Sequence, residues 1–147
     1  MGKVSDLGQK ITPALMFNGE QFVRAEEAIN FYSGIFPDSS TNLMSRYDAN
    51  DELQAGKINH TQFTLAGQKY VATDSGMRHE FNFNEGILFV VTCDSKEEID
   101  HYWNALTKDG QERMCGWLIN KFGRSWRIVP SILSKLMQDS AKAQKVQ

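Results

Sequence analysis

The sequence predicts an α+β fold built from two βαβββ modules, each a mixed sheet with a helix on its outer face. Three observations carry this. The order strand, helix, three strands runs through residues 11–76 and again through residues 86–130. Each helix has one apolar face and begins on a pair of acids, where negative charge suits the helix dipole. The two helices also echo one another, with Glu26-Glu27-Ala28-Ile29-Asn30-Phe31-Tyr32 recurring as Glu97-Glu98-Ile99-Asp100-His101-Tyr102-Trp103.

Residues 1–10 are a polar leader without the apolar core of an export signal. Ile11–Phe17 is apolar and reads as a strand, with Pro13 tolerated near its beginning at an edge. Ala25, Ala28, Ile29, Tyr32, Ile35 and Phe36 have the spacing of a buried helix face, and Pro37 stops that helix. Thr41–Tyr47 is a second strand, and the polar stretch Asp48–Gly56 is a loop. Lys57–Leu65 alternates, with Ile58, His60, Gln62 and Thr64 on one side and Asn59, Thr61, Phe63 and Leu65 on the other. Ala66-Gly67 connects it to a returning strand, Gln68–Thr73, which ends at Asp74.

A connector, residues 77–85, leads to the second module. Ile87–Cys93 is apolar throughout, as a strand covered on both faces would be. Ser95-x-x-Glu98 is a capping box, Ile99, Tyr102, Trp103 and Leu106 mark the helix's apolar face, and Gly110 is read as its C-terminal stop. Gln111–Cys115, Gly116–Asn120 and Ser125–Val129 complete the module, with nothing marking a turn between the first two. Residues 131–147 form a short helix and a frayed tail, offering Ile132, Leu133, Leu136 and Met137 for docking.

Composition narrows the function classes. With 147 residues, 41% hydrophobic and 23% charged, the chain is balanced like an ordinary globular protein. A formal net charge of −2 gives no general pull towards nucleic acid or an anionic membrane. No apolar run approaches the ~20 residues of a membrane span. Cys93 and Cys115 are the only cysteines, too few for a disulfide framework, so a cytoplasmic location is expected. Neither Cys-x-x-Cys nor a Cys/His cluster with zinc spacing occurs. Gly-x-Gly-x-x-Gly is absent, so a nucleotide or S-adenosylmethionine cofactor has no visible docking motif, and no cofactor is predicted.

The stretch Cys115–Pro130 is the most distinctive. It reads as two antiparallel strands around a turn at Asn120–Gly123, with Gly123 supplying a positive φ. Cys115-Gly116-Trp117, Lys121-Phe122-Gly123 and Ser125-Trp126-Arg127-Ile128-Val129-Pro130 together resemble the closing motif of the PhnB-like proteins. These are a branch of the glyoxalase/bleomycin-resistance/dioxygenase group, the vicinal oxygen chelate superfamily, and the resemblance covers roughly Ile11–Leu133. It implies curved half-shell sheets with helices on their convex backs. It does not imply one reaction, since that superfamily holds lyases, dioxygenases, thiol transferases and drug-binding proteins. The branch also bears a demethylubiquinone methyltransferase label, which the sequence does not support.

Metal-dependent members of the superfamily place His or Glu on the first and last strand of each module, and the resemblance points to those positions here. The first strand has no ligand-type side chain, and Asp74 stands only at a strand rim. Arg127 occupies about the place of an acidic ligand, where a cation repels a divalent metal. No metal site is therefore expected. His60 is on a middle strand, whereas His79 and His101 read as surface residues. The expected ligand cleft has Arg127, His60, Gln62 and Asp74 as polar points and Phe17, Trp117 and Phe122 as walls. Such a cleft suits a small molecule with an anionic or carbonyl end. The competing reading is that Arg127 merely answers Asp74 across the half-shell.

Three functions are thus carried forward: a small-molecule binding protein without a catalytic metal, a metal-dependent lyase or thiol transferase, and a thiol enzyme using Cys115. A homodimer is expected, because exposed strand edges and the apolar groups of the second helix and chain end need cover.

Overall fold

The computed structural model describes residues 9–51, 54–76, 82–133, 135–136 and 138–139. It divides into two compact units between Asn82 and Phe83. In the first, strand β1 (Ala14–Phe17) and a 3₁₀ turn at Gly19–Gln21 precede helix α1 (Ala25–Ile35). Strands β2 (Ser40–Arg46), β3 (Ile58–Leu65) and β4 (Gln68–Asp74) follow. The sheet order is β1-β4-β3-β2, with β1 parallel to β4 and the other pairs antiparallel. The second unit repeats this with β5 (Leu88–Cys93), α2 (Lys96–Thr107), β6 (Gln111–Glu112), β7 (Trp117–Ile119) and β8 (Ser125–Pro130). Its order is β5-β8-β7-β6, again with only the first and last strands parallel. These are the two βαβββ modules, each a mixed sheet.

Helix α1 buries Ala25, Ala28, Ile29, Tyr32 and Ile35, the face that its spacing predicts. Burying Ile29, Tyr32 and Ile35 contributes about 1.5–3 kcal/mol each. In β3, Thr61, Phe63 and Leu65 are buried on the side that pairs with Ala72 and Tyr70 of β4. Ala66 and Gly67 have φ of 48° and 84°, the two positive values of a tight hairpin turn. The strand ending at Phe17 is shorter than Ile11–Phe17, and Ile11 is exposed.

Helix α2 starts as its capping box predicts. Ser95 Oγ accepts the Glu98 amide at 3.1 Å, while the Glu98 carboxylate reaches back to the amide of Asp94 at 3.0 Å. Tyr102 and Leu106 are buried beneath it, with Ile99 and Trp103 half-buried. Three expectations need correction here. Strand β5 is not covered on both faces: Val90 is 56% exposed, and Thr92 is exposed too. Gly110 is not the residue that turns the chain after α2, since Asp109 takes the positive φ. Gly110 is needed because a Cβ there would lie 2.3 Å from the Ile119 carbonyl oxygen. The boundary between the first two closing strands is a true turn: Cys115 and Gly116 have φ of 59° and 79°, and the Trp117 amide donates to the Met114 carbonyl at 3.1 Å. Gly116 also lies tight against β8, accepting the Ile128 amide at 2.8 Å. Past β8, residues 131–133, 135–136 and 138–139 are helical, and Met137 lies outside the described residues.

Candidate functional site

Side chains alternate across a sheet, so the strand registers decide which candidates share a face. In the first unit Phe17 lies beside Asp74, and this row belongs to the face that packs against α1. Gln62 lies beside Val71, three residues from Asp74 and so on the opposite face, together with His60. The four residues do not line one cleft. Phe17 and Asp74 are each 1% exposed, and their surroundings are core.

Asp74 is a clamp. One carboxylate oxygen accepts the first amide of α1, from Ala25, at 3.0 Å, and the other accepts the amide of Ile58 at the start of β3 at 3.2 Å. Arg24, the residue before α1, supplies no side-chain cap, so Asp74 satisfies that helix end from across the unit. Its backbone carbonyl accepts the Tyr47 hydroxyl at 2.8 Å. Burial pushes the Asp74 carboxyl above the ordinary carboxylate range, outweighing the amides of Ala25, Ile58 and Val23 and the charge of Lys57. On the other face, His60 Nε2 and Gln62 Nε2 are 3.2 Å apart in a hydrogen bond, and Gln62 is 4% exposed. Each has a structural partner within its own strand.

In the second unit the registers place Val90, Arg127 and Trp117 in one row across β5, β8 and β7. The next row is Leu88, Ser125 and Ile119. Phe89, Trp126 and Leu118 lie on the reverse face, where Phe89 and Trp126 meet edge to face at 5.2 Å. The Arg127 guanidinium stands 5.8 Å from the Trp117 ring centroid, a cation over an aromatic face. Its Nε donates to the Cys115 carbonyl at 3.5 Å. No carboxylate forms an ion pair with Arg127 among the described residues. Trp117 and Arg127 are therefore together, half-exposed, beside the exposed Val90.

Phe122 does not join them. It sits in the β7–β8 turn with no exposed surface, where Asn120 Oδ1 accepts the amides of Phe122 and Arg124 at 3.0 Å each. Cys115 is an exposed, free thiol at the corner of the β6–β7 turn, and not within a strand. Sequence reasoning passed over Ser125 and Arg124, both buried. Arg124 lies over the rings of Phe83 and Phe89 and donates to the Asn84 carbonyl at 3.0 Å. It also passed over a cavity of about 290 Å³ at the start of α2, lined by Cys93, Ser95, Ile99, Pro130 and Ile132. Burial pushes the Cys93 thiol up, and the charges of Glu98 and Asp94 push the same way.

Among the described residues no three His, Cys, Asp or Glu side chains gather as a metal would require. His101 is on the exposed side of α2, and His79 lies outside the described residues. Arg127, at the place where the resemblance puts an acidic ligand, lies on the open face of the second sheet. No described helix is long and apolar enough to cross a membrane.

Two four-stranded mixed sheets, each closed by a parallel first and last strand and backed by a helix, define the vicinal oxygen chelate class of proteins. The family model described as 3-demethylubiquinone-9 3-methyltransferase matches residues 9–129, and the chain belongs to this PhnB-like family. The PhnB protein from Bacillus cereus is 39% identical, with 84% of this chain and 100% of that one covered at a TM-score of 0.77. A Pseudomonas aeruginosa protein is 21% identical over 83% of this chain and 97% of that one, with a TM-score of 0.64. A fosfomycin resistance protein from Listeria monocytogenes shares the fold at 11% identity and a TM-score of 0.53, covering 88% of this chain and 98% of that one. No curated protein matches the sequence.

Proposed function

We propose that this protein binds a small molecule on the open sheet face of its second unit, without the divalent metal of the superfamily's enzymes. The observation that carries this is the Val90–Arg127–Trp117 row, a cation over an indole with no ion-paired carboxylate among the described residues, beside exposed aliphatic surface. Arginine with planar donors pairs with oxyanions, while aromatic and aliphatic neighbours cover the rest of a ligand. Of the candidate residues, Trp117 and Arg127 are the ones to which the reading assigns ligand contact. The methyl transfer in the family's description is not part of it, because the sequence offers no nucleotide-type glycine loop. A screen of small anions and carbonyl compounds by protein-observed NMR tests the proposal: hits must shift Val90, Trp117 and Arg127 and vanish in Arg127→Gln. Elemental analysis of protein purified without a metal-affinity tag tests the metal clause. A stoichiometric divalent ion retained through dialysis would replace this reading with the metal-dependent lyase or thiol transferase.

Cys115 supports a second reading, a thiol enzyme, through its exposure and the hydrogen bond of its carbonyl to Arg127. Its alkylation rate against pH decides: an ordinary thiol profile leaves that reading without support. The proposal includes a cytoplasmic location, which two free thiols suit. It also includes a two-fold homodimer, because Ile132 and Leu136 are 59% and 55% exposed beyond β8. Light scattering across a hundredfold dilution tests the dimer, and an unchanging monomer mass would remove it.

A further inference from the structure

We infer that the open face of the second unit is a carboxylate seat, with Arg127 and Ser125 as its two donors. This rests on the small-molecule reading above and specifies the ligand's chemistry. Ser125 and Arg127 are two residues apart on β8, so their side chains leave the same face about 7 Å apart along the strand. Arg127 has its Nε turned to the Cys115 carbonyl and its Cζ 5.8 Å from the Trp117 ring centroid, and its two terminal nitrogens have no acceptor among the described residues. A guanidinium edge of this kind matches the two oxygens of a carboxylate.

Ser125 is the independent observation. It is 1% exposed, and its hydroxyl has no hydrogen-bond partner among the described residues. A buried hydroxyl without a hydrogen bond costs stability, so such an orphan on the same face as a cation with no ion-paired carboxylate among the described residues marks a place where an acceptor is missing. Its own row supplies none, since Leu88 and Ile119 flank it. A carboxylate held by Arg127 brings an acceptor to that hydroxyl, and the apolar body of the ligand then lies along Val90, Leu88 and Trp117. The structure thus assigns the site to small carboxylates with a flat or aliphatic body.

Benzoate is the probe, with benzamide as its neutral isostere and phenylphosphonate as a tetrahedral oxyanion, each titrated into the full chain by ¹⁵N NMR. Benzoate is expected to shift Val90, Ser125, Trp117 and Arg127 and to bind at least tenfold more tightly than benzamide. Arg127→Gln should weaken it tenfold or more, Arg127→Lys should restore part of the loss, and Ser125→Ala should weaken it three- to tenfold. Ser125→Ala should leave the melting temperature of the free protein unchanged or raised, since no bond is lost. That readout separates a ligand donor from a residue that merely holds the sheet. Benzamide binding as tightly as benzoate at these residues overturns the carboxylate seat but leaves the small-molecule reading standing. A phenylphosphonate preference does the same. No shift on this face from any of the three overturns both.

Discussion

Replacing Asp74 tests whether a buried carboxylate, not a local cap, joins α1 to the sheet. In Asp74→Ala the amides of Ala25 and Ile58 lose their acceptors in a core position that is 1% exposed. Each stranded donor costs about 1–3 kcal/mol, offset in part because a buried charge disappears, so a net loss of about 2–5 kcal/mol is expected. Asp74→Asn keeps one acceptor oxygen and turns its NH₂ against the second amide, for a loss of about 1–3 kcal/mol. The pH dependence follows from the raised carboxyl pKa. The folded protein holds this proton more tightly than the unfolded chain, so the group's contribution is full below the unfolded value of 3.8 and is lost as pH rises through the folded one. Asparagine does not titrate, so the deficit of Asp74→Asn should be largest in acid and shrink towards neutral pH. Urea denaturation of both proteins from pH 3 to 7 measures that difference, and other titrating groups cancel. A deficit that instead grows with pH would refute the reasoning, because it would mean that the two amides outweigh burial.

Three other outcomes follow from local geometry. Gly116→Ala combines a φ of 79° with a Cβ 2.4 Å from the Ile128 carbonyl oxygen, whereas Gly67→Ala at φ 84° enters open space. Thermal denaturation should show the latter costing only the left-handed penalty of about 1–2 kcal/mol and the former clearly more. Ser95→Ala removes the acceptor for the Glu98 amide, so a loss of about 1 kcal/mol should appear in the same measurement; no loss would mean that the Asp94–Glu98 contact suffices. Native protein should present one rapidly reacting thiol to a disulfide reagent, Cys115, and a second only on denaturation, because Cys93 is 1% exposed. Two fast thiols in the native state would contradict the burial of Cys93.

The helices were legible because their signals are local: apolar spacing in α1, and Ser95 with Glu98 at the start of α2. The doubled element order gave the class of fold for the same reason. What stayed hidden depends on pairing between distant residues. Phe17 and Asp74 look like neighbours of His60 and Gln62 until the parallel register of β1 on β4 sets them on opposite faces. Nothing in a cysteine's propensity announces a positive φ, so the turn at Cys115-Gly116 was invisible, although the glycine was its one available signal. Asp74 was noticed as a carboxylate, but its two amide partners lie far away in sequence. Arg127 was found because the closing motif puts it about where the superfamily's metal-dependent members carry an acidic ligand. Ser125 was missed because a serine among apolar residues looks ordinary until its hydroxyl is seen to lack a partner.

The way each sheet closes sets an order of events during folding. The β3–β4 and β7–β8 hairpins join segments adjacent in the chain, whereas β1 has no partner until β4 exists, since Ala14 pairs with Val71. Loop closure over that length must be paid before the parallel pairing returns anything. On a ribosome the first strand made is thus the last of its module to be secured, and an apolar segment waits unpaired throughout. The second module repeats the arrangement over a shorter interval, Leu88 to Ser125, so its opening strand waits less long.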